Sequence, residues 1–194
     1  MSIPATKSEY LELVGRETAR MSYPGSMSRG EYPIVKKGTK QKLEDFFAKE
    51  FPMSAAWTDA ANIANAYEKW HAERSNEISA AIESCVWKPN VSQCVAAKFL
   101  NTFMHQLMKY EASRPLWKEL HLPLDSRVFA SLKKERCAAL ADVQAYFWQS
   151  PYQIPYEAHL KVQAALRKLL DELNERPQAE FKFASRIELN LLWL

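Results

Sequence analysis

An aspartate surrounded by apolar residues is the feature of this sequence most suggestive of chemistry. The stretch reads HLPLDSRVF over residues 121–129, and Asp125 stands between Leu124 and a run that leads to Val128 and Phe129. Aspartate is normally a surface residue, so this setting needs an explanation. One explanation is that the carboxylate caps a helix formed by the following residues, SRVFASLKKER. The other is that an apolar frame holds a charged carboxylate in place for catalysis.

The elements that must position this aspartate are predicted to be helices. The chain has four glycines, and none follows residue 38. Tight hairpin turns and phosphate-binding loops both depend on glycine, so a sheet of hairpins, a P-loop and a Rossmann fold are not expected beyond that point. Apolar residues instead recur three and four positions apart, as in helices. Segments with this spacing are 42–51, 55–73, 76–86, 94–110, 138–149 and 156–175. We therefore expect an all-α fold, a compact bundle of about seven to eight helices.

Length and charge indicate one globular domain over residues 1–194. The net charge is +3, from 26 basic and 23 acidic residues, which is compatible with a nucleic-acid partner without arguing for one. Residues 21–40 hold three of the four glycines and are predicted to form a long loop.

The sequence carries no sign of a membrane or metal protein. No stretch reaches the roughly 20 apolar residues that span a bilayer, and the N-terminus lacks the pattern of a signal peptide. The three cysteines and four histidines show no metal-ligand spacing. We expect a cytoplasmic monomer without metal, cofactor or disulfide framework.

Two motifs and the chain end resemble one enzyme superfamily. The turn PNVS, residues 89–92, opens a helix and resembles the Pro-Gly-Val-Gly hairpin of helix-hairpin-helix DNA glycosylases, with Asn90 and Ser92 at the glycine positions. The segment HLPLDSRV resembles the part of the oxoguanine-type branch, especially the archaeal oxoguanine glycosylases, that carries the catalytic aspartate. The chain end, SRIELNLLWL, resembles the closing helix of that branch. The resemblance implies that residues 86–135 hold a hairpin and the catalytic aspartate.

The resemblance implies cleavage of an N-glycosidic bond in double-stranded DNA. Breaking this bond builds positive charge on the sugar, and a fixed carboxylate at Asp125 would stabilise that charge. The target base would be flipped out of the duplex. In this family the aspartate also caps its helix, so the two explanations of Asp125 are compatible.

A lysine nucleophile is a further expectation from the resemblance. Alignment on the hairpin puts the family's catalytic lysine at Cys94, and Lys98 lies one helical turn further on the same face. We favour Lys98, because its apolar neighbours indicate burial, which would supply the neutral amine that a nucleophile needs. Three alternatives remain open: the match is displaced by a turn, the enzyme has no lyase activity, or Lys98 extends to the surface from a half-buried helix.

The remaining candidate residues flank these two. Gln93 is a candidate for reading a base edge, His121 for the pocket mouth, and Arg127 for pairing with Asp125 or a phosphate. Further candidate residues for the substrate pocket are Cys94, Trp87 and Phe99, with Phe103, Tyr146, Phe147 and Trp148 as other possible walls. Candidate contacts to the DNA backbone are Lys88, Asn90 and Ser92, with Lys133, Lys134 and Arg136 on a basic rim. For the aromatic residues, His121 and Arg127, core packing or a surface role is the competing interpretation.

The function expected from these residues is excision of a damaged or modified base. The substrate would be an oxidised purine in repair, or a modified cytosine of phage DNA in antiviral defence. The alternative is a non-catalytic helical module that binds DNA or another protein.

Overall fold

The chain is all-α over the residues that its structure, a computed structural model, describes: 6–23, 35–49, 59–87, 92–135, 137–175 and 182–192. The α-helices of this part are α1 (Lys7–Ser22), α2 (Thr39–Lys49), α3 (Ala60–Asn65), α4 (Tyr67–Ile82), α5 (Ser92–Leu107), α6 (Ser126–Leu132) and α7 (Tyr156–Asn174). Four 3₁₀ segments accompany them: Glu83–Cys85, Glu111–Glu119, Ala138–Trp148 and Arg186–Leu192. The predicted all-α class and helix number are confirmed. None of these described helices is long and apolar enough to cross a membrane.

The chain divides into two compact units, Met1–Leu116 and Trp117–Leu194. Helices α1 to α5 belong to the first unit, and α6 and α7 to the second. This division into compact units does not test the expectation of one domain over residues 1–194, which stays a prediction.

Helix α1 was not predicted from apolar spacing, and its start is explained by a capping box. The Thr6 hydroxyl accepts a hydrogen bond from the Glu9 amide (3.2 Å), and the Glu9 carboxylate accepts one from the Thr6 amide (3.3 Å). This reciprocal arrangement satisfies two amides that a helix start leaves without partners. Since α1 runs to Ser22 and α2 begins at Thr39, both ends of the predicted 21–40 loop are helical, and residues 24–34 lie outside the described part.

Helices α4 and α5 pack against each other as an antiparallel pair. Polar side chains link them, and positions along α4 fall as positions along α5 rise. The linked pairs are Ser79–Ser92 (2.7 Å), Asn76–Gln93 (2.6 Å) and His71–Asn101 (2.7 Å). Val86 between the helices is extended and forms an antiparallel bridge with Val35, so one continuous helix through residues 86–94 is excluded. Residues 88–91 lie outside the described part, so of the predicted turn 89–92 only Ser92 is described, and the helix-hairpin-helix motif stays a prediction.

The structure differs from the helix predictions in the extent of one helix and in the geometry of another segment. Helix α4 continues through residues 74 and 75, where a break was expected, because Arg74 pairs with Glu77 (2.8 Å) and Ser75 is buried. The segment Ala138–Trp148 is helical as predicted, but with 3₁₀ geometry. Three residues per turn bring the buried Leu140 and Val143 onto one face.

An ion pair joins α1 to α2. The Arg16 guanidinium donates to the Asp45 carboxylate at 2.9 Å, and Gln41 donates to the same carboxylate at 3.3 Å. The hydrogen bond from Arg16, followed by that from Gln41, lowers the pKa of Asp45. A carboxyl group whose pKa is lower in the folded than in the unfolded state stabilises the fold above its unfolded pKa.

We therefore predict that Asp45→Asn lowers the melting temperature at neutral pH. The difference from wild type should shrink as the pH falls below about 4, the ordinary carboxyl pKa, because the wild-type carboxylate is then protonated too. Arg16→Gln should have the same effect, and the double variant should add little to either single change. The measurement is thermal unfolding at several pH values, with the exposed Asp142→Asn as control. A melting-temperature loss that does not depend on pH would contradict the ion-pair explanation.

Candidate functional site

Asp125 is the N-cap of α6, which confirms one explanation of its setting. Its Oδ1 accepts hydrogen bonds from the amides of Arg127 (2.9 Å) and Val128 (3.0 Å). Both bonds go to the same oxygen, and none of the hydrogen bonds among the described residues uses Oδ2. The half-buried carboxylate is thus held at one oxygen and keeps the other for a further contact.

The apolar frame around Asp125 is a packed part of the second unit. The leucines on its N-terminal side and the apolar residues of α6 on its other side are all buried: Leu120, Leu122, Leu124, Val128 and Phe129. The Asp125 carboxylate also influences the pKa of the Tyr152 phenol. Burial raises the pKa of the Tyr152 phenol, and the negative charge of Asp125 adds to the rise. Tyr152 therefore keeps its proton in the presence of this carboxylate.

The segment that leads to Asp125 is held by a buried amide side chain from α7. Gln163 accepts a hydrogen bond from the Leu122 amide (3.0 Å) and donates one to the Leu122 carbonyl (2.7 Å). Gln163 is completely buried, and Leu122 nearly so. The Gln163 side chain thus makes the two hydrogen bonds to the Leu122 backbone that a neighbouring strand makes in a sheet.

A buried arginine holds the residues just before this point. The Arg186 guanidinium donates to the carbonyls of Leu120 (3.1 Å), Gln163 (3.4 Å) and Glu119. Only 2% of Arg186 is exposed. Arginine presents several donors in a rigid plane, which suits binding to carbonyls from two chain segments. Gln163 and Arg186 together fix the backbone three to six residues before Asp125.

The segment that contributes Arg186 is itself bonded to the second unit. Asn174 at the end of α7 exchanges two hydrogen bonds with the backbone of Phe183, at 2.7 and 2.8 Å. Glu188 accepts hydrogen bonds from the Ala184 amide (2.6 Å) and the Trp117 indole (3.3 Å). The chain end predicted as a closing helix is a 3₁₀ segment, Arg186–Leu192.

His121 is completely buried rather than exposed at a pocket mouth. Its ring lies 5.7 Å from that of His159, on which Tyr156 stacks at the same centroid distance. Burial supports the packing interpretation of His121, and the absence of a metal stays an expectation. Arg127 is exposed, and its backbone amide is the group that donates to Asp125.

In the first unit, the predicted pocket residues of α5 are buried. Lys98 is only 7% exposed, and Cys94 lies one turn before it, also buried. Phe99 stacks on Tyr23 at 5.6 Å, within the packing of that unit. Lys98 belongs to the first unit and Asp125 to the second, and their approach to one nucleotide stays a prediction.

Of the residues around the predicted hairpin, two link α5 to α4 and one is largely exposed. Gln93 donates to Asn76, and the buried Ser92 hydroxyl bonds to that of Ser79, so both link α5 to α4. Trp87 is 60% exposed. Lys88 and Asn90 lie outside the described residues, as does Arg136 of the predicted rim.

The other predicted aromatic walls divide between core and surface. Phe103 stacks on Phe47 at 4.1 Å, and Phe147 packs edge-on against Phe129 at 5.3 Å. Trp148 is 70% exposed. For Phe103 and Phe147 the structure supports the core interpretation.

Comparison of the chain with protein-family models, curated proteins and solved structures finds no match.

The contacts of Gln163 generate a stability prediction. Gln163→Leu should leave the buried amide and carbonyl of Leu122 without these partners, at about 1–3 kcal/mol for each group. Chemical denaturation should show this loss in the free energy of unfolding. Gln153→Leu, an exposed position in the same unit, should change it by less than about 0.5 kcal/mol.

A third variant separates hydrogen bonding from packing. Gln163→Glu keeps an acceptor for the Leu122 amide but places a carboxylate oxygen against the Leu122 carbonyl, so it should also destabilise. Near wild-type stability of Gln163→Leu would show that the two hydrogen bonds of Gln163 do not hold this segment.

Proposed function

We propose that the chain is a DNA glycosylase that excises a damaged or modified base. Its substrate is double-stranded DNA with the target nucleotide flipped out, and the base is an oxidised purine or a modified cytosine of phage DNA. It acts as a cytoplasmic monomer without a cofactor. The resemblance of the HLPLDSRV segment to the glycosylase motif supports this proposal, and so does one structural observation.

The observation that carries the proposal is the geometry of the Asp125 carboxylate. Two helix amides hold Oδ1, while the backbone leading to Asp125 is fixed by Gln163 and Arg186. A carboxylate prepared in this way needs little reorganisation when positive charge develops nearby, and such preorganisation is a large part of enzymatic rate enhancement. Oδ2 is the oxygen that would face the sugar.

In the proposed reaction, the bond between C1′ and the base nitrogen breaks and the electron pair leaves with the base. Positive charge develops on the sugar, and Asp125 stabilises it. A water molecule then adds to C1′ and gives an abasic site. Asp125 is placed to orient this water through its second oxygen.

Lys98 extends the proposal to a bifunctional enzyme. Its neutral amine would attack C1′ in place of water and form a Schiff base, from which the strand can be nicked. The burial of Lys98 supports this role, because burial favours the uncharged form of a lysine.

A non-catalytic DNA-binding module is the second candidate function. An exposed cavity of the first unit, lined by three lysines and a tryptophan, favours it. A protein-interaction module is the third alternative and predicts no salt-dependent binding to DNA.

Asp125→Asn is the decisive variant, because it separates the two roles of this side chain. Asparagine caps helices as well as aspartate does, so the fold should be retained. Loss of the charge should slow base release by about 10²–10³-fold. The measurement is mass spectrometry of bases released from modified duplexes and phage DNA, with circular dichroism as the test of folding. Asp59→Asn, the same substitution at the N-cap position of α3, is the control.

Wild-type base release by folded Asp125→Asn would overturn the catalytic role. Wild-type protein that binds DNA but releases no base from any substrate would favour the non-catalytic module.

Lys98 is tested by trapping with borohydride. If its amine forms the Schiff base, reduction should link the wild-type protein covalently to DNA, and Lys98→Gln and Lys98→Met should lose the adduct. The second variant removes the amine without placing a new polar group in a buried position. Lys69→Gln, at an exposed position of α4, should still be trapped. An adduct that persists in both Lys98 variants would assign the role to another amine, and base release without any adduct would identify a monofunctional enzyme.

A further inference from the structure

A second candidate binding site lies wholly within the first unit, at the start of α2. Its cavity has a volume of about 420 Å³ and is lined by Tyr23, Val35, Lys36, Lys37, Gly38, Lys40 and Trp87. Volumes of about 300–1,000 Å³ are usual for small-molecule sites. Among the described residues that line it, three are lysines and none is acidic, so the cavity suits an anion.

The backbone of this cavity is built by contacts between two distant segments. The Lys36 amide donates to the Cys85 carbonyl at 2.8 Å beside the Val35–Val86 bridge. The Lys36 ammonium donates to the Ser84 carbonyl at 2.9 Å and lies 5.3 Å from the centre of the Trp87 ring. A cation held over an aromatic face orients the ring as well as itself. Trp87 is thus positioned at the cavity while 60% of it stays exposed.

A tight turn places the other two lysines. The Thr39 amide donates to the Lys36 carbonyl at 3.3 Å, and Gly38 has a φ of +94°, as at the third position of a type II turn. Nothing lies within 4 Å of the position that a Gly38 Cβ would occupy, so glycine is needed for the backbone angle and not for close packing. Lys37, at the second position of this turn, and Lys40, directly after it, are both exposed. The N-terminal end of α2 adds a favourable field for an anion.

We propose that this cavity binds a nucleotide, with the base stacked on Trp87 and the phosphate at Lys37 and Lys40. An exposed ring beside several cations is the arrangement by which proteins bind single-stranded nucleic acid without reading its sequence. An acidic peptide would satisfy the lysines, but it would not use the indole face. The ligand is therefore a phosphate attached to a flat aromatic group, either a free nucleotide or one within a single strand.

This site does not depend on base excision. It contains neither Asp125 nor Lys98. A glycosylase could use it to hold an unpaired stretch of its substrate, and a non-catalytic module could use it to bind DNA. Loss of base release in Asp125→Asn leaves this inference unaffected.

The test is binding of the full chain to fluorescein-labelled oligothymidylate, measured by fluorescence anisotropy over a range of salt concentrations. Trp87→Ala should weaken binding by about tenfold, the usual effect of losing one stacked base. The double variant Lys37→Gln/Lys40→Gln should make the slope of log K against log salt less steep by about 1.4, for two lost phosphate contacts on a single strand.

A second lysine–tryptophan pair is the structural counterpart of this site. Lys133 lies 5.0 Å from the ring centre of Trp148, which is 70% exposed and belongs to the second unit. Because Trp148 is itself a candidate wall of the predicted substrate pocket, the neutral control is Tyr10→Ala, at a 42% exposed aromatic position of α1 that lines no part of the lysine cavity; it should leave the affinity within about twofold of wild type. Equal losses in Trp87→Ala and Tyr10→Ala, or an unchanged salt slope in the double lysine variant, would overturn the proposal.

Competition identifies the form of the ligand. Displacement of the strand by AMP supports a free nucleotide, while displacement by unlabelled oligothymidylate alone supports a strand. Equal displacement by a polyglutamate peptide would overturn the proposal, because it would show charge attraction without stacking. The proposal would also be overturned if the wild type bound neither oligothymidylate nor AMP.

Discussion

The second unit depends on buried hydrogen bonds between side chains and an extended stretch of backbone. Residues 120–125 have no regular secondary structure, so their amides and carbonyls need partners from elsewhere. Gln163 and Arg186 supply three such bonds, two to Leu122 and one to the Leu120 carbonyl. Arg186 also donates to the carbonyls of Glu119 and Gln163. Each bond contributes modestly to stability, but its loss leaves a buried polar group unsatisfied, which is the larger effect. The extended conformation before Asp125 therefore persists only while both side chains are in place.

This constraint explains how a cap and a catalytic group can be the same residue. A helix cap requires a carboxylate oxygen at hydrogen-bonding distance from the first amides of the helix, and catalysis requires a carboxylate that does not move. Asp125 satisfies both requirements with different atoms, because the cap uses only Oδ1. The carboxylate is half-buried, and its charge adds to the rise that burial causes in the pKa of Tyr152. The catalytic role itself stays a proposal.

Sequence patterns predicted the helices well and the residues that organise the site poorly. Apolar spacing is a local signal, so it identified α5 and α7 to within a few residues, and Asp125 could be recognised as a cap. The Thr6–Glu9 capping box was an equally local signal for α1, although its weak apolar pattern did not indicate a helix. Gln163 and Arg186 had no such signal. They meet Leu122 and Leu120 across 41 and 66 positions, and only the fold shows that these polar residues are buried.

Two exposed tryptophans among the described residues show why a residue type alone does not identify a binding site. Trp87 and Trp148 each have a lysine over the ring, at 5.3 and 5.0 Å, and are exposed to a similar extent. Their difference lies in what surrounds the pair. The Lys36 ammonium donates to the Ser84 carbonyl, and the backbone of Lys36 leads into the turn at Gly38. This turn brings Lys37 and Lys40 to the same cavity as Trp87. A stacked base at Trp87 would therefore have cations within reach of its phosphate. Stacking and charge neutralisation act together only where the backbone holds both groups around one space, which makes the turn as important to this site as the side chains it carries.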